Sequence, residues 1–217
     1  MKSAGGAEEF VPRTHSLRSL AAAAADCQGC ELFASATQTV FGAGPRTARI
    51  MLVGEQPGDV EDRRGEPFVG PAGGLLDSAL SDAGIDRAEV YLTNAVKHFR
   101  WKPAERGKRR IHDKPAARHI NACRPWLAAE LDIVRPDLLV ALGAVATAAL
   151  FGPAFTLTSH RGQPLPWPPR EGPLAQRAAP ARAAFATIHP SAVLRAGAKR
   201  REVYDGLVRD LAAVTDA

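Results

Sequence analysis

The sequence predicts an α/β fold, a three-layer α/β/α sandwich around a central four-stranded parallel sheet. Three observations predict it. Four short apolar runs, 48–54, 89–94, 137–143 and 184–188, recur along the chain with segments of helical pattern between them. Runs of that kind mark strands buried on both faces, and strands alternating with helices imply a parallel sheet covered on both sides. The unusual polar residues also fall where the runs end, which is where sheets of this class bind ligands.

Residues 16–25, SLRSLAAAAA, read as a short helix with Ser16 as its N-cap. The helix runs into Cys27-Gln-Gly-Cys30. A redox dithiol usually follows a strand and opens a helix; this pair follows a helix, which favours metal. The first strand, 48–54, enters the turn Gly54-Glu-Gln-Pro-Gly58, whose backbone its glycines and proline fix. Pro67-Phe-Val-Gly-Pro71 is a second rigid turn, and 72–84 a helix stopped by Gly84. Strand 89–94 leads into a basic loop, and 116–133 returns to helix, carrying Cys123. Strand 137–143 is followed by a helix of small residues, 144–151. The segment 155–182, rich in Pro, Gly and Arg, reads as irregular with a hairpin around Arg161-Gly162. Strand 184–188 ends at His189-Pro-Ser191, and a helix over 199–213 closes the chain. The sequence of 1–217 shows no repeat or linker and reads as one domain, with 1–14 a flexible tail.

Composition narrows the partners. Hydrophobic residues make up 46% and charged residues 24% of the chain, which is ordinary for a globular domain. A net charge of +5 and an isoelectric point near 9.4 favour an anionic partner, nucleic acid first. The N-terminus has no apolar signal core and no run approaches bilayer length, so the expectation is a cytoplasmic monomer with no membrane contact. Three cysteines in that compartment point to metal or redox chemistry rather than a disulfide framework.

The loop 97–114 holds 8 of the 28 lysines and arginines, opposed only by Glu105 and Asp113, together with His98 and His112. A solvated loop is the ordinary fate of such a run, but this one stands beside a ligand set. Cys27 and Cys30 need partners; Cys123 is the remaining thiol, and His98, just past a strand end, is the best-placed fourth donor. Three Cys and one His suit zinc and, as a variant of the Cys₄ set, an iron–sulfur cluster, and residue types leave both open. At the strand ends a carboxylate (Glu55), an amide (Asn94) and an imidazole (His189) converge, and Phe68 on the nearby turn offers a ring for a planar ligand. Each has a bland alternative as a cap or core filler, yet burying all three unsatisfied costs several kcal/mol, roughly.

The segments GEQPG at 54–58, PFVGPAG at 67–73, LTNAVK at 92–97, LVALG at 139–143 and HPSAVLR at 189–195 together resemble the uracil-DNA glycosylase superfamily, over roughly 20–213. CxxC with Cys123 resembles its family-four iron–sulfur branch. Three departures, Gln56 in place of the usual alanine, His98 in place of cysteine, and the inserted Gly107-Lys-Arg-Arg-Ile-His112, resemble the UdgX subgroup, which becomes covalently attached to uracil-containing DNA.

The resemblance implies a [4Fe–4S] cluster on Cys27, Cys30, His98 and Cys123, with zinc the lesser alternative. It implies uracil-containing DNA as partner, single-stranded DNA favoured, and a flipped base. Phe68 would stack on uracil, Asn94 read O4 and N3, and His189 bond O2 and steady the uracil anion. Gly54 and Gln56 would line the pocket and Glu61 exclude the methyl of thymine. Lys108, Arg109, Arg110, Ser191 and Arg195 would grip the strand, the first three also keeping His112 neutral. His112 would attack C1′ of the deoxyribose in a single turnover, with Glu55 stabilising the sugar cation or accepting the imidazole proton. A multiple-turnover uracil-DNA glycosylase and a non-catalytic binding module are the alternatives.

Overall fold

The computed structural model describes residues 5–107, 109–169, 174 and 181–216. Four strands, β1 (Ile50–Gly54), β2 (Val90–Asn94), β5 (Leu138–Leu142) and β6 (Ala183–Thr187), form a parallel sheet in the order β2-β1-β5-β6. Every residue of these strands is buried. Alternate residues feed two cores. Met51, Val53, Leu139 and Ala141 pack on Leu127 and Leu131 of α4 (Ala117–Val134) and Ala149 and Leu150 of α5 (Ala144–Phe151). Ile50, Leu52, Val140 and Phe185 pack on Leu76 and Leu80 of α3 (Pro71–Asp82) and Leu207 and Leu211 of α8 (Arg200–Thr215). A period of two with both faces covered gives the unbroken apolar runs seen in the sequence.

The order places a switch point between β1, which continues to β2, and β5, which continues to β6. Their carboxyl ends open a crevice there. Short helices border it: α2 (Asp59–Arg64) and α7 (Ser191–Arg195), while α1 (Leu17–Ala24) and α6 (Leu157–His160) lie elsewhere in the chain. Ser16 caps α1 as expected, its side chain accepting from the Ser19 N–H at 3.2 Å. Among the described residues no helix is long and apolar enough to cross a membrane.

Three local expectations are corrected. The N-terminal segment is not a free tail from Ala7 on: Ala7 is buried beside Leu20, Phe41 and Trp126 and donates its N–H to Ala122 O at 2.9 Å. Residues 1–4 lie outside the described region. Among the described residues around Arg161-Gly162 there is no self-paired hairpin; Arg161 and Leu165 bridge instead to Ala186 and Ala184 of β6, which would otherwise leave an open edge there. The basic loop, in turn, is a hairpin: β3 (Trp101–Pro103) pairs antiparallel with β4 (Arg110–His112), setting Trp101 opposite His112.

Candidate active site and ligand cluster

The crevice is built from strand ends held in register. Gly54 of β1 pairs with Asn94 of β2, and the N–H groups of Ala95 and Val96 return to Gly54 O and Glu55 O. Gly54 is required by close approach: a Cβ there would lie 2.6 Å from Phe68 Cζ and strike Asn94 Oδ1. Phe68 sits on its turn at φ 58, a left-handed conformation costly for a bulky residue. Glu61 holds that turn, its Oε1 accepting the Gly70 N–H at 2.8 Å. The Phe68 ring stacks loosely on His189, with centroids 6.1 Å apart and planes at 27°. Across β5, Gly143 at φ 89 leaves space for the His189 Cβ.

Two polar groups border this space, Asn94 and His189. Asn94 Oδ1 is buried without a hydrogen-bond partner, an acceptor that a ligand N–H would satisfy. Beneath it, Lys97 Nζ donates to Asn94 O at 2.8 Å, Thr93 Oγ1 at 2.6 Å and Glu130 Oε2 at 2.5 Å, and the hydroxyls of Tyr91 and Thr93 donate to Glu130. The amide therefore stands on a buried, fully bonded ion pair. His189 accepts at Nδ1 from the Ser191 N–H (3.1 Å) and lies 2.8 Å from Ser191 Oγ, which accepts from Arg195 at 3.0 Å. Those bonds place the ring proton on Nε2, leaving a donor for the crevice. Burial first, then Arg195 and His112, lowers the His189 pKa to about 4, so the ring is neutral at ordinary pH. Ser191 and Arg195, expected on DNA phosphates, are thus also the supports of His189.

The hairpin brings His112 to the mouth. Its Nε2 lies 3.3 Å from Glu55 Oε1 and 3.0 Å from Gln56 Nε2. The carboxylate contact is close without being aligned as a hydrogen bond, and among the described residues Glu55 Oε1 has no hydrogen-bond partner. Burial raises the Glu55 pKa, with Lys114 and Arg195 opposing. Burial lowers the His112 pKa, Arg195 assisting and Asp113 opposing, so His112 is neutral at pH 7. Among the described residues the cation that lowers it is Arg195 rather than Arg109 or Arg110; Lys108 lies outside the described residues.

Gln56 is a clamp. Its amide nitrogen donates to Arg100 O (3.0 Å) and Asp113 O (3.1 Å), and its oxygen accepts the Arg100 N–H at 3.2 Å. The two amide hydrogens face three acceptors, so His112 Nε2 is left unprotonated and weakly held. Arg110, also expected on phosphates, is turned inward. It pairs with Asp59 at 2.5 Å and Asp62 at 2.6 Å and lies over the rings of Phe99 and Trp101. Its neighbour in β4 faces outward, and Ile111 is 39% exposed. Asp62, with Glu130, Lys97 and Asp113, belongs to the site yet was not singled out in the sequence. Only the acidic first turn and arginine-bearing last turn of α2 signalled a helix there.

All three cysteines are buried and free. Cys30, Cys123 and Val96 share one apolar cluster, while Cys27 accepts from the Trp126 indole N–H at 3.3 Å. Contact with Cys123, and His98 nearby, pulls the Cys30 thiol down, and Cys30 pushes Cys123 up. His98 is 4% exposed and its Nδ1 is buried without a partner. Among the described residues no three His, Cys, Asp or Glu converge tightly enough to close on a single ion. Cys30 in contact with Cys123, the orphaned Nδ1 of His98 beside Cys30, and Cys27 buried just after α1 are a donor set whose chemistry fits an iron–sulfur cluster.

Fold and crevice are those of an α/β protein that gathers polar side chains and an aromatic ring beyond its strand ends. A model of the uracil DNA glycosylase superfamily matches residues 41–212. The chain is 36% identical over 170 residues to the type-4 uracil-DNA glycosylase of Thermotoga maritima, spanning 78% of each chain. It is 35% identical over 173 residues to that of Sulfurisphaera tokodaii (77% and 71% covered) and 34% over 183 residues to that of Pyrobaculum aerophilum (82% and 84% covered). The chain belongs to the uracil DNA glycosylase superfamily, on its type-4 side.

Proposed function

We propose that this protein excises uracil from DNA and keeps the sugar, ending one turnover bonded to the deoxyribose through His112. The observation that carries the reading is the contact of His112 Nε2 with Glu55 Oε1, 3.3 Å, at the mouth of the crevice. A flipped uracil, cheapest to extract from a single strand, would lie on Phe68. Asn94 Oδ1 would accept its N3–H while the amide N–H₂ donates to O4. Cytosine offers a lone pair and an amino group at those positions and is refused.

Cleavage breaks the C1′–N1 bond with its electron pair passing to uracil. The Nε2–H of His189 bonds O2 and stabilises that anion as it forms. Glu55, unpartnered at Oε1, steadies the positive sugar. The lone pair of His112 Nε2 then forms the bond to C1′ ahead of water. The imidazolium releases its Nδ1 proton to solvent, the ring being half-exposed, and the uracil anion takes one up. Cys27, Cys30, His98 and Cys123 would hold a [4Fe–4S] cluster, which when bound ties the N-terminal segment to β2 and α4. Exposed Arg109, with Lys108 beside it in sequence, would meet the phosphates, while Arg110 fixes the hairpin.

Incubation with a uracil-containing single strand, followed by SDS and heat, tests this. A surviving protein–DNA band is expected. Free uracil with abasic DNA and no band would favour ordinary turnover, and neither product would favour simple binding.

A further inference from the structure

His98 is a ligand only if one ring nitrogen is bare, and the structure shows what makes it so. Thr39 Oγ1 lies 2.8 Å from Ala24 O and 2.9 Å from His98 Nε2. A threonine hydroxyl has one hydrogen, and a carbonyl oxygen can only accept. The hydroxyl hydrogen is therefore committed to Ala24 O, and Oγ1 is left to accept from the imidazole. That requires the proton on Nε2 and leaves Nδ1 with a free lone pair. Nδ1 is buried and, among the described residues, without a hydrogen-bond partner, on a residue that lies against the Cys30 thiol. The carbonyl used belongs to the last residue of α1, three positions before Cys27.

We propose that Thr39 is the positioning residue of the ligand set: it selects the Nδ1-bare tautomer of His98 and fixes the ring while tying it to the helix that delivers Cys27. The inference rests on the cluster proposed above. Residues that hydrogen-bond a ligating histidine set its tautomer and basicity, and their loss costs about 10–100-fold in metal affinity. A cysteine at 98 would need no such partner, because a thiolate has no tautomer to select.

The test follows from that difference. Wild type, Thr39→Val, Thr39→Ser, His98→Cys and the double variant His98→Cys/Thr39→Val are purified without air. Iron per chain is measured, with the half-life of the visible absorbance under a chelator. Thr39→Val should lose absorbance about 10–100-fold faster than wild type, and Thr39→Ser should match wild type. In the His98→Cys background, with no tautomer left to select, the valine should have a much smaller effect, confined to the lost bond to Ala24 O. If Thr39→Val keeps the wild-type half-life, or speeds loss equally in both backgrounds, the tautomer role is wrong; in the second case Thr39 serves only to hold α1. If wild type itself carries no iron, the cluster reading falls and this inference with it. An iron-replete wild type with an indifferent valine variant overturns Thr39 alone.

Discussion

His112 Nε2 and Glu55 Oε1 stand 3.3 Å apart across the mouth of the crevice, brought there from β4 and the turn after β1. Glu55 follows the strand that pairs with β2, whereas the hairpin of His112 is held from below by Gln56 and from the side by Arg110 on Asp59 and Asp62.

That dependence gives the first prediction. Gln56→Ala removes the bonds to Arg100 O, Asp113 O and His112 Nε2, so the imidazole is no longer aimed. A misplacement of about 1 Å costs roughly 100-fold in a positioned reaction. Covalent capture should slow by that order in a quenched time course, while the variant still releases uracil. Capture at the wild-type rate would remove Gln56 from the positioning role.

Asn94 sets the base preference. Asn94→Ala deletes the orphaned acceptor and should depress uracil processing by two or more orders, roughly, with the discrimination against cytosine narrowing. Competition between uracil- and cytosine-bearing oligonucleotides reads the change. Unaltered discrimination would move base reading elsewhere.

The pair beneath Asn94 is a stability element. Lys97 and Glu130 are 1% and 0% exposed in their side chains. Lys97→Met leaves the Glu130 carboxylate without its counter-charge and should cost about 3–5 kcal/mol in urea unfolding. Adding Glu130→Gln should recover part of the loss, since an amide needs no counter-charge and can still accept from Tyr91 and Thr93. Equal losses in the single and double variants would contradict the ion-pair account.

Capture should depend on pH through two groups. His112 acts as a neutral ring, and burial holds its pKa below 6.5, so the reactive form persists down through that value. Glu55 acts as a carboxylate, and burial holds its pKa above 4.5, so its charge is lost earlier in acid than that of an ordinary glutamate. His189, at about 4, stays a neutral donor throughout. The rate should hold from pH 8 to 7 and fall on the acid side as Glu55 and His112 take protons. A rate already falling between pH 8 and 7 would contradict the lowered His112 pKa.

The sheet was legible because each strand is apolar on two faces, so β1, β2, β5 and β6 stand out within one or two residues of their observed ends. The crevice followed from the sheet, since Glu55, Asn94 and His189 lie at strand ends whatever the helices do. The hairpin was not legible. Trp-Lys-Pro and Arg-Ile-His are too short to show alternation, and their pairing rests on Gln56 and two aspartates some fifty positions away. Arg110 shows the same limit. A run of Lys-Arg-Arg announces charge but not which guanidinium finds carboxylates within the fold, and Asp62, 0% exposed, decides that here. Thr39 carried no signal at all, because one hydroxyl between a helix end and a histidine is a purely tertiary relation.

The central claim is that His112 Nε2 bonds to C1′. Peptide mass mapping of the SDS-resistant complex, after nuclease and protease digestion, tests it most directly. The account predicts a deoxyribose remnant on the imidazole of His112, and no adduct at any position in His112→Ala. A remnant on Glu55, on a lysine or on any residue but His112, or an SDS-stable complex formed by His112→Ala, would contradict it.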